Sequence, residues 1–229
     1  RPLVLGDLNG SPVLASETCA FDIIGAKYVR DVENGEIVII TKNGIESIKP
    51  FPKLKERPCI FERIYFARPD SIMGGKTVYT YRKNLGKQLA IENKVKADVV
   101  VPVLDSGVSA GLGFSQKSGI PLELGIIRSH YVGRTFIEPT QNIRQLGVKL
   151  KHSVNRSCIE NKRVILIDDS IVRGTTANKI VKMIFDAGAK EVHLGIGCPP
   201  ITHPDFYGID TPNYKELIAS KNTLKQMTK

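Results

Sequence analysis

The run of residues 164–176 constrains the fold of this chain more than any other segment. Four apolar residues, 164–167, lead into two adjacent aspartates and then into a turn of small residues that opens a helix. A buried strand followed by such a turn is typical of α/β folds, which bind ligands at the carboxyl ends of their strands. The run therefore predicts an α/β domain with a ligand site directly after this strand.

The polar residues of this run suit a sugar phosphate. The carboxylates of Asp168 and Asp169 can accept hydrogen bonds from ribose hydroxyls or bind a hard cation. Residues 174–176 offer backbone N–H and hydroxyl donors at a helix start, where phosphate groups bind. Adjacent acids after a strand are also common as a plain helix cap, but two aspartates cannot both be caps, and Arg173 adds a cation that a cap does not need.

A second turn repeats this arrangement. Asp105, Ser106 and Gly107 follow a strand predicted at residues 98–103 and precede a helix predicted at 108–118. By itself, such a turn is generic α/β chemistry. Because the two turns would flank one ribose at neighbouring strand ends, we predict a ligand that is phosphorylated at both ends, with pyrophosphate at the second turn.

Strand and helix patterns alternate after residue 80. Further strands are predicted at 120–127 and 191–196, and helices at 81–93 and 175–187. In the last helix the apolar residues recur with helical spacing, and Gly188 ends it. Alternation of this kind predicts a parallel sheet with helices on both faces.

Three segments are predicted along the chain. Residues 1–50 have β character, with a hairpin around Asn43 and Gly44. Residues 51–58 continue a proline-rich, charged stretch and are predicted to be a linker, and 59–229 form the α/β domain. Because residue 1 is Arg rather than Met, we expect the chain to begin partway through a longer protein.

The net charge of +10 is compatible with nucleic acid, an anionic membrane or a polyphosphate ligand. Residues 128–163 carry eight Lys or Arg against two acids, with little aromatic content and no nucleic-acid motif. We therefore predict phosphate binding, and neither a nucleic-acid nor a membrane partner. Four scattered cysteines and the lack of a signal sequence or long apolar stretch favour a cytoplasmic protein.

Several stretches together resemble one enzyme family. Residues 164–176 resemble the phosphoribosyl pyrophosphate (PRPP) motif of type I phosphoribosyltransferases. The resemblance narrows to the glutamine phosphoribosylpyrophosphate amidotransferases through YFARPDS at 65–71, RKNLG at 82–86, YVGRTFI at 131–137 and FYGID at 206–210. Residues 1–6 and 15–17 resemble the closing strands of that family's N-terminal nucleophile hydrolase domain, which is its glutaminase. The resemblance covers nearly the whole chain.

The resemblance implies the first step of purine synthesis. Ammonia, taken from glutamine in the complete protein, attacks C1 of PRPP and displaces pyrophosphate to give 5-phosphoribosylamine. The step needs little acid–base chemistry but much neutralisation of a departing polyanion, so we nominate no general base. The resemblance further implies a homo-oligomer inhibited by purine nucleotides.

The resemblance also assigns roles to residues of this chain. Asp168 and Asp169 would hold the ribose hydroxyls and, with Ser106, a magnesium ion. Tyr131 and Arg134 would lie in a flexible loop that closes over PRPP. The pyrophosphate would face Asp105, Ser106 and Gly107, and the 5'-phosphate would be held by Ser170, Ile171, Val172, Arg173, Gly174, Thr175 and Thr176.

The chain departs from the family pattern at three places. The family's glutaminase uses an N-terminal cysteine, whereas this chain starts with Arg1, so we expect no glutamine hydrolysis by this chain alone. Some members carry an iron–sulfur cluster; Cys59 stands at one ligand position, but Asp205 stands where a second cysteine is needed, so we expect no cluster. We also expect that the chain ends before the family's C-terminal helices.

Two other functions remain open from the sequence. A salvage phosphoribosyltransferase would share the PRPP motifs and would release pyrophosphate only with a purine or pyrimidine base. A PRPP-sensing regulator without catalytic activity would use the charge of +10 to bind DNA in a salt-sensitive way.

Overall fold

A computed structural model describes residues 2–55, 57–128, 152–205, 211 and 213–227. The chain divides into two compact units, and the division falls between Tyr81 and Arg82. Within the described ranges, no helix is long and apolar enough to cross a membrane.

The first unit is built mainly of antiparallel strands, as predicted for residues 1–50. Strand β1 (Val4–Leu8) lies between β2 (Ser11–Ala15) and β3 (Lys27–Asp31). Helix α1 (Cys19–Ile24), which the sequence analysis did not predict, buries Phe21. The predicted hairpin is confirmed as β4 (Ile37–Thr41) paired with β5 (Gly44–Ile48).

A second segment of this unit is tied to the first by side-chain hydrogen bonds. It comprises a π-helical turn (Glu62–Phe66) and the short strands β6 (Ile72–Met73) and β7 (Lys76–Thr77). The carboxylate of Glu17 accepts the backbone N–H of Arg68 at 2.8 Å and the hydroxyl of Ser71 at 2.7 Å. The carboxylate of Glu17 therefore binds two residues of a turn that lies about fifty positions further along the chain.

The second unit is α/β. Its described strands are β8 (Val99–Pro102), β9 (Ile126–Arg128), β10 (His152–Val154), β11 (Arg163–Asp168) and β12 (Glu191–Ile196). Its described helices are α2 (Val78–Glu92), in which the division between the units falls, α3 (Val108–Ser118), α4 (Arg156–Ile159), α5 (Thr175–Asp186), α6 (Ile218–Lys221) and α7 (Leu224–Met227). A 3₁₀ turn (Tyr214–Glu216) precedes α6.

The parallel sheet has the order β12-β11-β8, with β11 in the middle. Alternate side chains of β8 and β11 enter two different apolar clusters, because successive residues of a strand point to opposite faces. One face packs against Ile180 and Ile184 of α5, and the other packs against Ala110 and Phe114 of α3. The predicted parallel sheet with helices on both faces is confirmed.

Helices α2 and α3 cross at two glycines. A Cβ atom at Gly86 would lie 1.9 Å from the carbonyl oxygen of Ala110, and one at Gly113 would lie 1.9 Å from the carbonyl oxygen of Lys83. The two backbones are therefore in direct contact, at a distance that no side chain permits.

The strand predicted at 120–127 is only partly correct. Pro121 has no N–H to donate, and Leu122 forms only an isolated parallel bridge with Val100. The chain becomes a strand at Ile126, as β9, which pairs with β10 in an antiparallel ladder. The proline therefore limits this segment to two backbone bonds with β8, in which Val100 donates to Pro121 and accepts from Glu123.

An ion pair links β8 and β11 at their amino ends. The guanidinium of Arg163 donates to Asp98 at 2.7 and 3.2 Å, and the Arg163 backbone N–H donates at 2.8 Å. These donors lower the pKa of Asp98 from 3.8 to about 2. The stabilisation from this pair is therefore present above pH 3.8 and is lost as the pH falls towards 2.

We expect the carboxyl carbon of Asp98 to titrate near pH 2 in an NMR experiment. Arg163→Gln should move this midpoint up towards 3.8, because it removes the side-chain donors. A midpoint near 3.8 in the unsubstituted protein would contradict the geometry of the pair.

Candidate functional site

Three loops leave the same edge of the parallel sheet. The loops follow β8, β11 and β12. They share an edge because the carboxyl ends of parallel strands lie side by side. Backbone bonds join the loops at their roots: Val103 N–H donates to the carbonyl of Ile167 at 2.8 Å, and Gly197 N–H donates to the carbonyl of Asp168 at 2.9 Å. The sequence-predicted turns are thus brought together here.

Two carboxylates lie at the centre of this edge. Asp168 ends β11, and its Oδ1 accepts the backbone N–H of Asp169 at 2.8 Å. Asp169 is buried, with 7% of its surface exposed, and its carboxylate accepts the hydroxyl of Ser170, while the side chain of Ser106 is close enough to oppose the rise in its pKa. Its Oδ2 is buried and has no hydrogen-bond partner among the described residues. A buried acceptor of this kind suits a ligand hydroxyl or a cation.

The surroundings of this pair disfavour negative charge. Burial, as the larger cause, and the neighbouring charge of Asp169 together raise the pKa of Asp168 to about 7. Burial also raises the pKa of Asp169, although hydrogen bonds from Ser106 and Ser170 and the charge of Arg82 oppose the shift. Cations or hydroxyl donors from a ligand would stabilise both ionised carboxylates.

The turn after β8 lies against the end of β11. The Leu104–Asp105 peptide bond is cis. A Cβ at Gly107 would lie 2.4 Å from the carbonyl oxygen of Ile167, so this position accepts only glycine. Ser106, the residue before Gly107, lies close enough to Asp169 to affect the pKa of its carboxyl. The Asp105 carboxylate forms an ion pair with Nη1 of Arg128, the last residue of β9.

Residues 170–176 form the turn into α5. The N-cap residue Gly174 has φ of 78° at the helix start and, as a glycine, has no side chain to cap this end. The first N–H groups of a helix have no partner within it, so they are available to an anion. Arg173, which we expected to contribute a cation, donates from Nε to Glu216 at 2.7 Å. Its charge is thus paired in this structure.

Some predicted residues lie outside the described ranges. These are the loop candidates Tyr131 and Arg134 and the stretch 206–210. Cys59 is described and is exposed. Among the described residues, no three His, Cys, Asp or Glu side chains are grouped so that they could hold a metal ion.

Two residues near the acidic pair were not predicted from the sequence. Arg82 of α2 is buried, with 4% of its surface exposed, and its charge acts on Asp169. Cys198 follows β12, and burial, together with the charges of Asp169 and Asp168, raises its pKa to about 12. Cys198 could have been identified because it closely follows a predicted strand, as the residues of the two turns do. The sequence does not single out Arg82 in the same way, because most arginines in helices lie on the protein surface.

The sequence of the chain is similar to those of known proteins. The family described as "Phosphoribosyl transferase domain" matches residues 84–202. The chain is 62% identical to the amidophosphoribosyltransferase of Rhizobium etli, over 96% of this chain and 46% of that protein. It is 52% identical to that of Bacillus subtilis, over 99% of this chain and 48% of that protein.

Two solved structures are similar to nearly the whole chain. One, described as the allosteric regulatory enzyme of purine biosynthesis, has a TM-score of 0.92 and 52% identity, over 99% of this chain and 49% of its own. The other, the B. subtilis glutamine PRPP amidotransferase complexed with ADP and GMP, has a TM-score of 0.91 and 52% identity, over 99% and 50%. The chain spans about half the length of the relatives it matches.

Proposed function

Because the chain belongs to the phosphoribosyl transferase domain family, we propose that its second unit binds PRPP across the turns that follow β8 and β11. One observation carries this proposal: the buried Oδ2 of Asp169, which has no hydrogen-bond partner in the described part of the chain, lies beside Asp168 where the two turns meet. An acceptor that the protein leaves unpaired is costly unless a ligand uses it.

Each part of PRPP has a matching group at this edge. Ribose hydroxyls would donate to Asp168 and Asp169. The 5'-phosphate would accept hydrogen bonds from the uncapped start of α5, supported by the small turn at Gly174. The pyrophosphate would lie at the turn 105–107, whose backbone is held close to β11 by Gly107.

The residues at this edge fit a magnesium ion. Mg²⁺ is usually bound by one or two protein carboxylates together with substrate phosphates, so it needs no third acidic ligand. The unpartnered Oδ2 of Asp169 and the raised pKa of Asp168 both indicate that a cation would be favourable here. Asp168, Asp169 and Ser106 would hold the ion. When bound, it would neutralise charge on the departing pyrophosphate.

The reaction we propose is amidophosphoribosyl transfer. Ammonia attacks C1 of PRPP, the C1–O bond to pyrophosphate breaks, and 5-phosphoribosylamine forms. The chain's residues bind and orient the substrate, and we assign no general base. The names of the relatives support this activity. The name of the solved glutamine PRPP amidotransferase supports glutamine as the source of the nitrogen in a longer protein.

Other properties of the whole protein are part of the proposal. We infer a cytoplasmic homo-oligomer with a closing loop at Tyr131 and Arg134, and neither a nucleic-acid nor a membrane partner. Along the sequence we infer the segments 1–50, 51–58 and 59–229, although residues 59–81 lie in the first compact unit. The ADP and GMP bound to the B. subtilis enzyme support inhibition by purine nucleotides. The position of Asp205 argues against an iron–sulfur cluster.

Pyrophosphate release tests the activity. With PRPP, Mg²⁺ and ammonium at alkaline pH, the protein should release pyrophosphate in proportion to free ammonia. Release only with a purine or pyrimidine base would instead identify a salvage enzyme. Salt-sensitive DNA binding without turnover would identify a regulator. Failure of both this chain and a longer chain with the upstream half would overturn the proposal.

A further inference from the structure

We propose that Arg128 binds the pyrophosphate group of PRPP, and that Asp105 holds its guanidinium at the turn until the ligand arrives. This inference rests on the proposed function, because it names a specificity-determining residue of the same site. It is carried by the ion pair between Asp105 and Arg128.

The backbone of Arg128 is held in a β-ladder, whereas its side chain is partly exposed to solvent. Arg128 is paired with His152 in the β9–β10 ladder, and Ile126 of the same strand is fully buried. The Arg128 and Asp105 side chains are 42% and 68% exposed. Exposed ion pairs contribute little to stability, so the fold does not depend on this one. Arg128 can therefore change partner without moving its backbone.

The charge of Asp105 makes it a poor ligand for pyrophosphate. A carboxylate repels a polyanion, so the attractive groups of this turn are its N–H groups and the nearby guanidinium. A guanidinium binds phosphate oxygens in a bidentate manner, whereas its exposed ion pair with a carboxylate contributes little free energy. We infer that pyrophosphate displaces Asp105 from Arg128, and that Asp105 serves to place the cation beforehand.

The other proposed phosphate turn shows the same arrangement. Arg173 at the start of α5 is paired with Glu216, and these side chains are 49% and 37% exposed. Each turn that is proposed to receive a phosphate thus has an arginine already held by an exposed carboxylate. The Arg163–Asp98 pair has similar exposure but lies at the opposite, amino ends of β8 and β11. It therefore serves as a matched control, because no phosphate is proposed to bind at that edge of the sheet.

Binding measurements on two ligands test the assignment. Ribose 5-phosphate carries the ribose and 5'-phosphate of PRPP but lacks the pyrophosphate. By calorimetry with Mg²⁺, Arg128→Gln should weaken PRPP binding about 10- to 100-fold, as expected for losing a charged hydrogen-bond pair. Binding of ribose 5-phosphate should stay within about twofold. Arg128→Lys should recover part of the loss, and Arg163→Gln should change neither affinity.

The variant Asp105→Asn tests the role of the carboxylate. It removes both the competing partner and the repulsion, so PRPP should bind at least as tightly as to the unsubstituted protein. Equal weakening of both ligands by Arg128→Gln, or no weakening of PRPP, would overturn the inference while leaving the proposed function in place. If the unsubstituted protein bound neither ligand, the proposed function would fail as well.

Discussion

Replacing Asp168 with asparagine should abolish tight PRPP binding and at the same time make the protein more stable at pH 8. The amide keeps an oxygen that can accept the backbone N–H of Asp169, so the local fold survives. It loses the negative charge and one acceptor that ribose hydroxyls and a cation would use. We expect PRPP binding to weaken by about 100-fold or more, the cost of losing charged hydrogen bonds.

The gain in stability follows from the raised pKa. Burial, the larger cause, and the charge of Asp169 raise the pKa of Asp168 from 3.8 to about 7. Between these values the folded protein keeps a proton that the unfolded chain releases. Rising pH therefore destabilises the fold through this range, and the loss is complete above about pH 7. Asparagine cannot ionise, so the variant avoids this loss.

Urea unfolding in EDTA at pH 5 and pH 8, together with PRPP titration in Mg²⁺, would measure both effects. The stability difference between variant and unsubstituted protein should grow in favour of the variant as pH rises. Asp186→Asn, at an exposed position at the end of α5, is a control for removing a carboxylate elsewhere. Unchanged PRPP affinity would rule out the proposed ribose contact. If the variant were less stable than the unsubstituted protein at pH 8, the ionised Asp168 carboxylate would not destabilise the fold as we propose.

Alanine at Gly113 should destabilise the second unit severely. The new methyl group would lie 1.9 Å from the carbonyl oxygen of Lys83, which belongs to the backbone of α2 and cannot rotate away. Alanine favours a helix over glycine by about 1 kcal/mol, so an unhindered site would become more stable. Overpacking reverses the sign, and we expect a net loss of about 3 kcal/mol or more.

Gly86→Ala provides an independent test from the facing helix. Its methyl group would lie 1.9 Å from the carbonyl oxygen of Ala110, so a similar loss is expected. Asn84→Ala, at an exposed position of α2, is the matched control and should change stability by less than about 0.5 kcal/mol. Thermal and urea unfolding would measure all three variants. A gain in stability at either glycine would disprove the close contact between the helices.

Local patterns in the sequence determined much of the second unit. The helix from Val108 and the strand from Glu191 were predicted to the residue, because helical and strand periodicities act over a few neighbouring positions. The two turns could be recognised for the same reason, since glycine and small polar residues directly after a strand are local signals. The segment after Pro121 was misjudged because apolar composition suggested a continuous strand there.

The partners of the charged groups were decided only by the tertiary structure. Ser106 reaches Asp169, Asp105 pairs with Arg128, and residues distant from the acidic pair in sequence, such as Arg82, act on its charge. Sequence periodicity says which face of an element is buried but not which side chain of another element will face it. The site chemistry was thus predictable as residue types at strand ends. The pairing of its charges depends on how the strands and helices are packed in three dimensions.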